Sequence, residues 1–172
     1  MFMAEISLVI LGVMPVLVII GGLHDLTTMK IPNWISGLLI LAFFPAAFAT
    51  GLPLMGMAIA FGVAFAALLA GMAMFALRWI GGGDAKLMAA ASLWLGLSGI
   101  TPFLAFTALI GGGFCLVLMA ARAQLQVFAL NAPGWVTRLM QPKGDIPYGV
   151  AIAIGALLAY PSSPLIQAFT GA

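Results

Sequence analysis

Six apolar runs, each free of charge along its middle, leave this chain very little choice of solvent. They are Ile6–Leu23, Trp34–Thr50, Leu54–Leu77, Ala85–Leu97, Pro102–Ala121 and Ile146–Tyr160. Most approach or exceed the roughly 20 residues that cross a bilayer as a helix. Ala85–Leu97 is the exception, short enough to need a tilt or a start inside a cavity lined by the others. Where lipid is the solvent, backbone groups must be paired within the element, so helices and not strands are expected. Composition agrees: 65% of the 172 residues are apolar and 6% charged, against about 25% charged in an ordinary soluble domain. The expected fold is an all-α polytopic membrane bundle of about six transmembrane helices, forming a single domain over residues 1–172.

The few charges set an orientation. Lys30 follows the first run, Arg78 and Lys86 flank the turn between the third and fourth, and Arg122, Arg138 and Lys143 lie between the fifth and sixth. All six basic residues thus fall in alternate connections. The positive-inside rule places those connections in the cytoplasm and both termini on the other side. A net charge of +2, so scattered, gives no reason to expect a nucleic-acid partner. Cys115 stands alone in an apolar run, which excludes an intrachain disulfide or a cysteine metal site. No basic segment precedes Ile6, so the first run reads as a retained span and not a cleaved signal peptide. Ala67 with Gly71, and Ala151, Gly155 and Ala159, have the small-xxx-small spacing that lets membrane helices approach closely. The methionines read as lipid-facing or gap-filling. The long connection Arg122–Asp145 has room for a short interfacial helix near Trp135–Met140.

Acids at a membrane need a reason. Asp25 closes the first run, in Gly21-Gly22-Leu23-His24-Asp25. It is either a solvated loop acid, paired with Lys30, or a functional carboxyl at the negative end of a helix macrodipole. Asp84 ends Gly81-Gly82-Gly83-Asp84 and opens the fourth run. It suits a helix N-cap, but three preceding glycines exceed what a cap needs and leave room for a polypeptide backbone. Asp145, beside Lys143, reads as a capping or interface residue. His24, without acid or thiol partners at ligand spacing, makes no metal site and reads either as a neighbour of Asp25 or as an interface residue. No serine, cysteine and histidine fall together as a nucleophilic triad. Two carboxyls on different helices at one membrane face can form a dyad whose proton affinities separate. One member then takes a proton from water while the other polarises a carbonyl, which is metal-free peptide hydrolysis. The macrodipoles suit Asp84 as base and Asp25 as proton donor, although such roles belong to the pair. Lys86 reads either as an anchor reaching lipid phosphate or as a contact for an acid of a substrate.

Asp25 with Lys30-Ile31-Pro32-Asn33 beyond it, then Gly81-Gly82-Gly83-Asp84-Ala85-Lys86-Leu87, resembles the type IV prepilin peptidases, membrane aspartyl proteases of the GxGD class. Pro147-Tyr148-Gly149-Val150-Ala151-Ile152 is similar to the family's last-span motif. The resemblance covers essentially the whole chain. It implies catalytic aspartates at Asp25 and Asp84, with Gly81 and Gly83 forming the GxGD loop. Lys30, Pro32, Asn33, Lys86, Pro147 and Gly149 would support the loop or touch substrate. It implies no metal and no cofactor. The substrate would be a prepilin, with a short basic leader ahead of a hydrophobic helix, cut after a glycine at the cytoplasmic face of the bacterial inner membrane. Larger members carry a cysteine-paired insertion after the first span and also N-methylate the pilin. Here that connection is about ten residues without cysteine, which argues against methylation and resembles the short peptidases of Flp/Tad (tight adherence) pili.

A different class of protein, a scaffold or small transporter of a pilus or secretion system, remains as the alternative. A transporter places ionisable groups near the bilayer midplane, whereas these acids sit at one rim.

Overall fold

The computed structural model describes residues 2–124, 132–142 and 144–171; Lys143 lies outside the described residues. Within them the chain is helical, running α1 (Phe2–Leu11), α2 (Val13–Thr28), α3 (Asn33–Thr50), α4 (Leu54–Ala76), α5 (Gly82–Gln124), α6 (Gly134–Leu139), α7 (Tyr148–Ala159) and α8 (Pro164–Thr170). Proline and glycine cut these helices where the sequence does. Pro32, Pro53, Pro133 and Pro147 each stand at an N-cap, where the missing N–H would have had no helical partner. Gly51, at φ 71°, closes α3. The expected interfacial helix is α6.

Among the described residues five helical stretches are long and apolar enough to cross a membrane: Ser7–Thr28, Asn33–Thr50, Leu54–Ala76, Gly82–Gln124 and Tyr148–Thr170. The protein is a polytopic helical membrane bundle. Its outer surface has the apolar character that lipid requires, with Phe48, Leu54 and Leu109 among the large side chains facing outward.

Two expectations are refined. The first helix does not stop at Leu23 but continues through His24 and Asp25 to Thr28, where Met29 (φ 57°) caps it by donating to the Asp25 carbonyl. The connection expected to be about ten residues therefore shrinks to residues 29–32. The fourth and fifth apolar runs are two limbs of one element, α5, broken at Gly96 (φ 55°, ψ −161°). The limbs run in opposite directions. Asp84 lies across a cavity from Asp25, which is bonded to Gly149, and Arg122 at the other end of α5 is bonded to Gly144 and Asp145 nearby. The reversal point meets the far end of the bundle, where Ser98 donates to Ser162 and Ser163 donates to Trp94. Gly96 has two reasons to be glycine. Its φ is left-handed, and a Cβ there would lie 2.6 Å from Pro164 Cγ.

The first limb is buried nearly all round from Asp84 to Gly96, as expected for a helix apolar on every face. At about 21 Å for residues 82–95 it falls short of a ~30 Å hydrocarbon core, and its neighbours enclose it. Trp94 anchors the limb near its reversal: its indole donates to the Leu39 carbonyl at 2.8 Å, and Phe43 meets it edge-on, with centroids 6.2 Å apart. Small residues permit the close packing, since a Cβ on Gly71 would fall 2.9 Å from that of Ala85.

The connections carrying the basic residues meet at one end of the bundle. Lys86 Nζ donates to Asn33 Oδ1 at 2.9 Å, and Arg138 reaches the Thr28 carbonyl. At the opposite end Ser7 donates to Ala49 and Tyr160 to Leu11.

Candidate active site

Asp25 sits in the last turn of α2 and Asp84 in the first turn of α5, the two helix polarities that the sequence predicts. Both are buried, at 5% and 7% exposure. They line a common cavity of about 780 Å³ and an adjoining one of about 310 Å³.

Each carboxyl is held by one backbone N–H. Gly149, in the first turn of α7, donates to Asp25 Oδ2 at 2.8 Å. Gly81, just ahead of α5, donates to Asp84 Oδ2 at 3.0 Å. The second bond is half of a capping box, in which the third helical residue reaches back to the N-cap N–H. Asp84 thus performs a capping role through Oδ2, while its buried Oδ1 has no hydrogen-bond partner among the described residues. Buried polar atoms are seldom left so, which leaves this oxygen with unused capacity to accept a proton or a hydrogen bond.

The loop glycines have a different use from the one expected. None of Gly81, Gly82 and Gly83 has a positive φ. The space beside Gly83 is filled by Ile31, whose Cβ would lie 3.0 Å from an added one, and that beside Gly81 by the Asp84 carboxylate at 2.9 Å. They admit the chain's own groups. Gly149 is equally confined: a Cβ there would stand 2.8 Å from each of Asp25 Cβ, Asp25 Oδ2 and Ile31 Cδ1.

The other expected residues divide into two groups. Pro32 and Pro147 cap α3 and α7. Lys30 is exposed and lines the smaller cavity, but Asp25 takes its hydrogen bond from Gly149. His24 holds the turn, with Nδ1 2.7 Å from the Lys30 carbonyl. Lys86 and Asn33 bond each other on a face away from the two aspartates and line a separate groove. Asp145 is exposed on the larger cavity and does not cap α7, whose N-cap is Pro147.

Three features are not legible in the sequence. Arg78, in a left-handed conformation (φ 61°), lines the larger cavity with Trp79, as does Tyr148. Arg122, which reads only as an orienting charge, is 8% exposed. Its Nε, Nη1 and Nη2 donate to the carbonyls of Leu139, Gly144 and Asp145, each at 2.8 Å. That guanidinium fixes the loop forming one wall of the cavity. Its signal was in plain view as a charge, but its burial is a tertiary fact.

Comparison with curated proteins and with solved structures gives no match. The model of the type IV leader peptidase family matches residues 12–116, a stretch that includes Asp25, the Gly81–Asp84 loop and most of α5. That match takes in more than half of the chain, which therefore belongs to the type IV leader peptidase family.

Proposed function

We propose that this protein is an intramembrane aspartyl endopeptidase that removes the leader of a type IV prepilin, using Asp25 and Asp84 as a catalytic dyad. The observation that carries the reading is the shared cavity, with two buried carboxyls among its lining residues and Asp84 Oδ1 left without a hydrogen-bond partner among the described residues. In the proposed reaction that oxygen takes a proton as water attacks the scissile carbonyl carbon. Asp25, held through Oδ2 by Gly149, donates a proton to the carbonyl oxygen. The resulting tetrahedral diol collapses as Asp84 passes its proton to the amide nitrogen, Asp25 takes a proton back from a diol hydroxyl, and the C–N bond breaks to give an acid and an amine.

The gathering of basic connections at the same end supports a cytoplasmic cavity and termini on the opposite side, by the positive-inside rule. A type IV leader peptidase acting on prepilins would work in the bacterial inner membrane, and the membrane-length helices support that location. The short α2–α3 connection, residues 29–32 without cysteine, favours a peptidase without methyltransferase activity, of the Flp/Tad kind. The acids lie in the end turns of their helices, which favours chemistry at the rim over transport through the midplane.

Co-expression with an Flp-type prepilin tests the reading. Asp25→Ala and Asp84→Ala should each leave the leader attached while the protein still accumulates in the membrane. Normal leader removal by either variant would refute the dyad.

A further inference from the structure

Across α5 from the two aspartates lies a second depression, a groove of about 400 Å³ between α3, α4 and the first limb of α5. Asn33, Ser36, Gly37 and Ile40 line it from α3, an i, i+3, i+4, i+7 set that defines one helical face. Lys86 stands at one end, bonded to Asn33. Phe61 of α4 and Leu93 of α5 mark the other. The charged end is the one at which the basic connections gather.

One polar group inside the groove is unaccounted for. Ser36 is 7% exposed, and its Oγ has no hydrogen-bond partner among the described residues. A buried hydroxyl without a partner is costly. It lies about 4.5 Å along α3 from Asn33. The groove therefore offers a cation and an amide at its mouth, a hydroxyl donor one helical turn deeper, and apolar walls below.

We infer that this groove binds one anionic glycerophospholipid, with its phosphate at Lys86 and Asn33, an ester carbonyl at Ser36, and an acyl chain toward Phe61 and Leu93. The order of groups along a lipid, from phosphate through ester to alkyl, matches the order of groups along the groove. A transmembrane peptide fits less well, because its carbonyls are already bonded within its own helix and give Ser36 little to donate to. The volume falls within the usual range for small-molecule sites. The inference is independent of the peptidase reading.

Purified protein exchanged from vesicles of phosphatidylglycerol or phosphatidylcholine with the same acyl chains can be read by native mass spectrometry. The wild type should retain one phosphatidylglycerol and little phosphatidylcholine. Lys86→Ala should weaken retention about fivefold, the worth of one cationic contact with an anionic lipid, and Ser36→Ala should weaken it too. Gly37→Leu should abolish it by filling the groove. A Cβ at Gly37 meets nothing within 4 Å, so that variant should keep the wild-type melting temperature. Equal retention of the two lipids by the wild type, or undiminished retention by Gly37→Leu, would overturn the inference. A photo-crosslinker at position 37 should capture lipid; capture of a co-expressed prepilin in its place would assign the groove to substrate and overturn it as well.

Discussion

Replacing Gly149 by alanine should cripple cleavage while changing neither carboxyl. The added methyl would lie 2.8 Å from Asp25 Cβ and 2.8 Å from Ile31 Cδ1, where carbon atoms pack at about 3.5–4.0 Å. Relief requires a displacement on the order of 0.7–1.2 Å, shared between α7, Asp25 and Ile31. Ile31 is buried against Gly83 of the Asp84 loop, so movement on that side disturbs the other aspartate. A reacting group misplaced by about 1 Å loses roughly 100-fold in rate, and overpacking of this kind destabilises by about 1–3 kcal/mol. The expected result is a kcat about 100-fold below wild type, with a melting temperature lowered by a few degrees. Cleavage of purified prepilin in proteoliposomes provides the rate, and a thermal melt of the same preparation provides the stability. Gly62→Ala, at a site where a Cβ meets nothing within 4 Å, serves as a control that should stay near wild type. The reasoning fails if Gly149→Ala cleaves within about threefold of wild type while Asp25→Ala is inactive. Position 149 would then not set the placement of Asp25.

Removing the Arg122 guanidinium leaves the carbonyls of Leu139, Gly144 and Asp145 without their donor, so Arg122→Ala should cost about 3 kcal/mol or more, read as a fall in melting temperature. Arg122→Lys should recover only part of this, because an ammonium lacks the planar fork. Gly96→Ala combines a left-handed φ with a 2.6 Å approach to Pro164 and should destabilise by about 2–4 kcal/mol with no direct effect on a site at the other end of the bundle; thermal melts beside cleavage rates separate the two. Ser163→Ala removes both the cap on Leu165 and the bond to the Trp94 carbonyl, and should lower stability by about 1–2 kcal/mol in the same melt.

The helices themselves were legible because their boundaries are written locally. The expected Trp34–Thr50 and Leu54–Leu77 differ from α3 and α4 by one residue at an end, since Pro32 and Pro53 fix φ and Gly51 admits the left-handed turn that ends α3. The end of the first helix was not legible. The apolar run ends at Leu23, yet His24, Asp25 and Thr28 continue the helix because their polar groups are satisfied by Gly149 and by the Lys30 and His24 carbonyls. Two of those partners are near in sequence and one is 124 residues away. Gly96 shows a milder limit: the gap between the fourth and fifth runs was visible, but not that helical bonding resumes at once on the far side of a single residue. For the site, charge alternation was enough to bring both aspartates to one end. Hydrophobicity carries no information on which N–H each carboxyl accepts from, so the family motif named Gly149 only as a support for the loop or a substrate contact. Lys86 and Asn33 were grouped with the aspartates through the family motifs that contain them. Lys86 lies two residues beyond Asp84, about 200° around the helix, and so faces another groove.

The two carboxyls are secured by the same device. Each accepts from a backbone N–H at the start of a helix, Gly81 ahead of α5 and Gly149 in α7, where N–H groups lack helical partners. A backbone donor brings no rotamer freedom to be lost and cannot be removed by substitution except with proline. Its drawback is proximity, because a side chain on the donating residue would point toward the oxygen it serves. A Cβ would lie 2.9 Å from Asp84 Oδ2 at position 81 and 2.8 Å from Asp25 Oδ2 at position 149, inside the roughly 3.3–3.6 Å of a normal C···O contact. Both donors are therefore glycine for one physical reason, though they lie in different motifs. Each arrangement also commits a single oxygen, leaving the other oxygen of each carboxyl outside that bond. In the proposed mechanism those two oxygens handle the protons. The glycines flanking the aspartates then act chiefly as close-range clamps on the carboxyls, and the cavity between α2, α5 and α7 supplies the room for substrate.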